Sequence, residues 1–288
     1  MTPTITERFA PSPTGLLHLG HAFSAILCHD HARAAGGRFL LRLEDLDAER
    51  SRPAYAEAIE RDLSWLGLTW DGPVLRQSDR LDAYGAAIDR LRARGLAFVC
   101  RCSRRDVAEA VSAPQEGAPV NGPDGLVYPG TCRGRGEAME DGRSIRLDMR
   151  AAIAALGGAD AVNRLAFTEL GRNTPLTQRL DARALIEGTG DIVLRRRDGA
   201  VAYHLAVVLD DAHQGVTHVT RGEDLLPAAP LHRLLQALLG LSAPIYRHHR
   251  LIRDAEGKRL AKRHDALSLH AMREADETPG SIRARLKL

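Results

Sequence analysis

The sequence holds no apolar run near the roughly 18–20 residues that cross a bilayer, so no membrane-spanning helix is expected. Its first residues, MTPTITERFAPS, lack a basic segment followed by an apolar stretch, which argues against a secretory signal. A cytoplasmic protein without a membrane partner is therefore expected. Lysine is nearly absent: of 40 basic residues only Lys258, Lys262 and Lys287 are lysine. Two of the three share one short stretch, either because a compact ammonium is needed there or because rare residues cluster by chance. There are 4 cysteines, and a cytosolic setting argues against disulfides among them. Cys28 stands alone in an apolar helical pattern and reads as core, whereas Cys100, Cys102 and Cys132 fall in one region. A net charge of +3 is compatible with a nucleic-acid partner and does not demand one.

What is present suffices for one large domain or two modest ones: 288 residues, 44% hydrophobic and 27% charged. Residues 4–9 read as a short strand running into the Pro/Gly turn PSPTG. From 18 to 35 the apolar residues Leu19, Ala22, Phe23, Ile26 and Leu27 recur at helical spacing, and RFLLRL (38–43) reads as a buried strand. That strand–helix–strand unit marks a parallel sheet. Helices are expected at 53–66, 80–94 and 228–239. Residues 191–211 read as two strands around an Asp198-Gly199 hairpin turn. The middle differs, and its Pro/Gly-rich stretch 112–125 reads as a surface loop. The expected division is 1–98 as the first half of the sheet domain, 99–185 as an inserted subdomain, 186–245 as the second half, and 246–288 as a loop with a short helical C-terminus.

The string RFAPSPTGLLHLGH (8–21) joins that first strand to that first helix. A helix N-terminus offers free N–H groups and partial positive charge, which suit phosphate. Gly15 and Gly20 let backbone approach a ligand closely. His18 and His21, three apart, share a face of the first turn, where their imidazoles could donate to phosphate oxygens gaining charge. Taken alone, the pair could equally be solvated surface residues or a metal pair. Likewise GKRLAKR (257–263) could be a solvated basic turn, or a loop whose lysine closes over a triphosphate.

The whole string resembles the first signature of class I aminoacyl-tRNA synthetases in its glutamyl form, with HLGH in place of HIGH. The resemblance continues through FLLRLEDLDAERSRP (39–53) and AYHLAVVLDDAHQGVTHVTRGEDLL (202–226). It ends at GKRLAKR, where the KMSKS signature belongs. It implies an α/β fold: a Rossmann-type parallel sheet core, an inserted zinc-containing α+β subdomain and a short helical C-terminus. It implies ATP with Mg²⁺ and L-glutamate as ligands, with His18, His21 and Lys262 catalytic. Pro11, Gly15 and Gly20 would join these three around ATP. Arg8, Phe9, Ala10, Pro11 and Ser12 would line the glutamate pocket, with Glu44 on the α-ammonium and Tyr203 and Arg221 completing it. The second signature departs from the family's, with Arg259, Ala261 and Arg263 keeping charge but losing a hydroxyl.

Cys100-x-Cys102 with Cys132 supplies three thiolates of the kind that bind zinc, which takes four ligands in structural sites. No histidine or fourth cysteine lies nearby, so buried thiols remain an alternative on residues alone. VYPGTCRG (127–134) resembles the family's zinc element, in which tyrosine is the fourth ligand, and so implies Tyr128. The chain ends a short tail after Arg263, where a full glutamyl-tRNA synthetase continues into an anticodon-binding region. In this it resembles the short glutamyl-Q tRNA(Asp) synthetase family. That likeness implies glutamate activation without tRNA, transfer to queuosine in the anticodon of tRNA(Asp), and a monomer. The alternatives are a truncated glutamyl-tRNA synthetase charging a 3′ end, a non-enzymatic RNA-binding paralogue, and a related nucleotidyltransferase.

Overall fold

A computed structural model describes residues 4–112, 121–123, 125–136, 138–171, 174–253 and 268–288. In chain order it opens with β1 (Thr6–Phe9), α1 (Leu19–Ala34), β2 (Arg38–Leu43), α2 (Pro53–Trp65), β3 (Leu75–Arg76) and α3 (Leu81–Ala93). Next come β4 (Ala97–Cys100), α4 (Arg104–Ser112), β5 (Asn121–Gly122), β6 (Gly125–Leu126), β7 (Ser144–Leu147), α5 (Met149–Ala155) and α6 (Ala159–Arg164). β8 (Ala166–Leu170), β9 (Pro175–Arg179), α7 (Ala182–Ala184), β10 (Val193–Arg195) and α8 (Tyr203–His213) follow. The chain closes with β11 (His218–Gly222), α9 (Ala229–Leu239), β12 (Ile245–His249), α10 (Leu269–Glu274) and α11 (Pro279–Leu286).

The core is a parallel sheet. β1 pairs with β2 and β2 with β3, while β11 pairs with β12 and β12 with β8, all parallel; β9 adds an antiparallel edge. The two halves meet between β1 and β11. The Thr217 N–H donates to the Thr6 carbonyl at 3.0 Å, and further along the ladder gives way to a side chain. There the Glu7 carboxylate accepts the Thr220 N–H at 3.2 Å and its hydroxyl at 2.7 Å. Strands wedged apart in this way leave a crevice beyond their carboxyl ends, where the order of an open α/β sheet reverses and ligands bind.

Alternation along β2 decides what covers each face. Phe39, Leu41 and Leu43 are buried in one apolar cluster with α1, α2, α10 and α11, each side chain contributing about 1.5–3 kcal/mol. Arg42 points the other way and reaches α8. A second cluster there takes in α3, α8 and α9 with the apolar side of β11 and β12. α2 begins with proline at its first position, which presets φ and loses no needed donor.

Two readings from sequence are corrected. Residues 203–213, expected to continue a hairpin, form helix α8; the Asp198-Gly199 turn itself is present, with Arg195 bridging Val201 and the Ala202 N–H donating to the Leu194 carbonyl at 3.0 Å. A continuous apolar run cannot separate buried strand from buried helix by its period. The stretch 99–185 also holds more than an insertion, because β8 and β9 within it join the core sheet beside β12. Conversely, β10 lies past 185 yet pairs with β7, in an antiparallel sheet of order β10-β7-β4. The loop expected at 112–125 lies largely outside the described residues; the part described forms the two-strand pair β5–β6. Among the described residues, no helix is long and apolar enough to cross a membrane.

Candidate active site

A cavity of about 450 Å³ opens at the carboxyl ends of β1 and β11. Its walls include Arg8, Phe9, Ala10, Pro11, Ser12, His18, Gly20, His21, Glu44, Tyr203 and Arg221. Every residue singled out for ATP or glutamate is therefore in one place, except two. Gly15 lies in the bend after Pro13 and does not line the cavity. Lys262, with Lys258 and the rest of the second signature, falls in 254–267, outside the described residues. The described neighbours of that segment adjoin the site: Ile252 lines the cavity, and Ser268 forms a β-bridge with His18.

The two histidines cap α1 in place of the usual hydroxyl and carboxylate. His18, extended at φ −125° and ψ 176°, accepts the Gly20 N–H on Nδ1 at 3.1 Å. His21 Nδ1 accepts the His18 N–H at 3.2 Å, and the rings lie 3.9 Å apart. An imidazole that accepts on Nδ1 carries its proton on Nε2 when neutral. Both rings are thus donors at Nε2 on the cavity wall, at the partially positive N-terminal end of α1. Gly20 leaves room for the His18 ring: a Cβ there would lie 3.0 Å from His18 Cε1 and 3.1 Å from its Nδ1, so the ring would have to give by a few tenths of an ångström.

At the other end the cavity is built from buried guanidiniums. Arg8 donates through Nε to Asp211 Oδ1 at 3.0 Å, and Arg42 donates to the same oxygen at 2.7 Å. Burial pushes the Asp211 carboxyl up, but Arg8 and Arg42 overcome that and hold it below its ordinary value. Glu44 lies 3.4 Å from Arg42; burial outweighs that arginine and raises its carboxyl above the usual glutamate range. Burial, then the Glu44 charge, pushes the Tyr203 phenol up to about 12, so it stays protonated and can donate. Arg221 is 5% exposed and lies over the Tyr246 ring at 5.0 Å.

Thr220, Ser24, Asp224 and His249 also line the cavity and were missed from sequence. His249 Nδ1 is engaged with the Arg250 carbonyl at 2.9 Å, so it donates and Nε2 is an acceptor. Among the described residues, that Nε2 is buried without a hydrogen-bond partner. The available signal was distribution: the 12 histidines fall only within 18–31 and 204–270.

The cysteine cluster lies apart, where β4 enters the antiparallel sheet. The sulfurs of Cys100, Cys102 and Cys132 lie within 4.8 Å of one another, and all are free thiols. Cys102 and Cys132 Sγ are 3.6 Å apart, close to the roughly 3.8 Å of two thiolates on one tetrahedral zinc. Tyr128 Oη lies 3.3 Å from Cys100 Sγ and 3.5 Å from Cys102 Sγ, and accepts the Cys132 N–H at 2.8 Å. Burial raises the Cys102 thiol to about 11; at Cys132 burial is overcome by hydrogen bonds, from Tyr128 foremost, leaving it at about 7. This donor set could hold a metal ion. Cys28 is buried, as expected of a core residue.

A split parallel sheet with this crevice, a histidine-capped first helix and a cavity spanning both defines a class I aminoacyl-tRNA synthetase catalytic domain. The family described as tRNA synthetases class I (E and Q), catalytic domain, matches residues 4–288. A glutamyl-Q tRNA(Asp) synthetase of Rhodobacter capsulatus is 53% identical over 98% of this chain and 99% of its own length. One from Geobacter sulfurreducens is 42% identical over 97% of this chain and 82% of its own. A glutamate tRNA ligase from Elizabethkingia meningosepticum, solved in complex with its amino acid, superposes with a TM-score of 0.70 at 29% identity. That match covers 91% of this chain but 52% of the ligase, so the chain spans about half that enzyme's length. The chain belongs to the glutamyl-Q tRNA(Asp) synthetase family.

Proposed function

We propose that this enzyme activates L-glutamate with ATP and Mg²⁺, without needing tRNA, and transfers it to the cyclopentenediol of queuosine in the anticodon of tRNA(Asp). The observation that carries the first half is the two-ended cavity, with imidazole donors at α1 and buried guanidiniums at β1 and β11. In the first step a glutamate α-carboxylate oxygen attacks the α-phosphorus of ATP, and the bond to the bridging oxygen breaks. Glutamyl-adenylate forms and pyrophosphate leaves. His18 and His21 donate to phosphate oxygens that gain charge, so orientation and charge stabilisation carry the step. Lys262 adds its ammonium by resemblance to the family's second signature.

Arg8 and Arg221 are the partners of the side-chain carboxylate, while Glu44 and Tyr203 receive the α-ammonium. Glutamine would leave a buried guanidinium without its counter-ion, a costly outcome. Aspartate is one methylene short, worth about 1–3 kcal/mol, and is rejected mainly by mispositioning. In the second step a queuosine hydroxyl attacks the adenylate carbonyl, forming the ester and releasing AMP. The names and nearly full-length similarity of the relatives support this acceptor. Cys100, Cys102, Cys132 and Tyr128 would hold one structural zinc ion, which ties the turn at Cys132 to the end of β4.

Glutamate-dependent ATP–pyrophosphate exchange without tRNA, followed by transfer assays on tRNA(Asp) with and without queuosine, tests the proposal. Exchange without tRNA and transfer only to queuosine-bearing tRNA are expected. Transfer to the 3′ end of tRNA(Glu) would sink it.

A further inference from the structure

Arg8 and Arg221 both face the cavity, yet they are held in opposite ways. Arg8 is paired with a carboxylate, Asp211. Each edge of Arg221 instead meets a neutral acceptor. Its Nε donates to His248 Nε2 at 3.0 Å, its Nη1 to His232 Nδ1 at 3.1 Å, and its Nη2 to the Leu225 carbonyl at 3.1 Å.

Because a guanidinium can only donate, it fixes both tautomers. His248, accepting at Nε2, carries its proton on Nδ1 and passes it toward Glu169 Oε2 at 2.7 Å. His232, accepting at Nδ1, carries its proton on Nε2 and donates to His204 Nδ1 at 2.9 Å. Four elements, β8, β12, α9 and α8, thus converge on one side chain of β11. Burial, followed by the Arg221 charge, lowers the pKa of His232 well below the imidazole value; the same two causes lower that of His248 despite Glu169. Both rings therefore stay neutral acceptors near pH 7. Neither lines the cavity.

We propose that His232 and His248 are positioning residues for amino-acid selection: they orient Arg221 through neutral acceptors, leaving its charge to be met by the side-chain carboxylate of the substrate. A carboxylate in either position would cancel that charge before substrate arrived. This rests on the reading of glutamate as the activated amino acid.

The two acceptor atoms sit at different depths in their rings, which gives a matched test. At 248 a Gln carries its amide oxygen near the Nε2 position and an Asn falls short. At 232 an Asn carries its oxygen near the Nδ1 position and a Gln overshoots. Glutamate-dependent pyrophosphate exchange is measured for His248→Gln, His248→Asn, His232→Asn and His232→Gln, with KM for glutamate and ATP taken separately. His248→Gln and His232→Asn are expected to stay within about threefold of the parent. The mismatched pair should raise the glutamate KM about 10–100-fold, the scale of a lost hydrogen bond to a charged group, with ATP KM unchanged. Equal KM values for Asn and Gln at both positions, or parallel rises for ATP and glutamate, would overturn the inference while leaving the substrate reading intact. Absence of glutamate-dependent exchange in the parent enzyme would overturn the substrate reading, and this inference with it.

Discussion

The guanidinium of Arg8, in the first strand, lies 3.0 Å from the carboxylate of Asp211 on α8, and the same oxygen accepts Arg42 at 2.7 Å. One buried anion thus serves two cations on the pocket floor. Asp211→Asn should leave Arg8 without its carboxylate partner and Arg42 with only Glu44 at 3.4 Å, and cost about 3–5 kcal/mol of stability, read by denaturant unfolding. Because the folded-state carboxyl is held below its ordinary value, its contribution is present above the unfolded pKa, near 3.8, and is lost as pH falls through the lower folded one. Unfolding midpoints of parent and variant should therefore converge in strong acid. A variant as stable as the parent at neutral pH would contradict this.

Gly20 keeps the His18 ring in place by offering no Cβ to it. Gly20→Ala should shift that imidazole by a few tenths of an ångström or more and lower kcat for pyrophosphate exchange about 10–100-fold, by misplacing a donor to the transition state. The helix itself should be unharmed, since Ala favours it. Circular dichroism and kcat together check this, and a parental kcat would remove His18 from the role given it.

Glu44 titrates above the ordinary glutamate value of 4.5 because it is buried. Its carboxylate, the form that receives an ammonium, is complete well above the raised value and is lost as pH falls through it. The glutamate KM should therefore climb in mild acid, before an exposed carboxylate would be affected. Glu44→Gln should raise KM at neutral pH and flatten the acid limb. A KM profile identical in the two enzymes would exclude Glu44 from amino-acid binding.

The cysteine cluster predicts about one zinc per chain, measured by elemental analysis after mild chelation. Cys102→Ser and Cys132→Ser should lose it. Tyr128→Phe, which keeps three thiolates, should bind more weakly in chelator competition. Unchanged affinity in Tyr128→Phe would restrict the donor set to sulfur.

His249 lines the cavity, and its buried Nε2 acceptor has no hydrogen-bond partner among the described residues. His249→Leu should raise the ATP KM about 5–10-fold and leave glutamate KM alone if that acceptor serves the nucleotide. Separate KM titrations distinguish the two ligands.

Much of the site was legible in the sequence because its chemistry is local. The turn at 8–21 holds strand end, turn, cap and first helical turn within fourteen positions, so the spacing of Arg8, His18 and His21 nearly fixes where they sit. β2 and α1 to α3 were legible for the same reason, since period and cap signals act within one element. α8 was not, because a residue run buried on every side carries no period; there the pairing of Arg42 with Asp211 and the packing against α9 select helix over strand.

The sequence by itself determined which groups are available: the capping histidines, the thiols within one segment, and the arginines flanking a turn. Tertiary structure alone decided what those groups pair with. β8 joins the core sheet and β10 the antiparallel one because strand partnership is a long-range choice that local pattern does not encode. Arg221 acquires His232 and His248, and through them His204 and Glu169, because burial obliges each polar group to find a partner and the packing of four elements determines which partners are within reach.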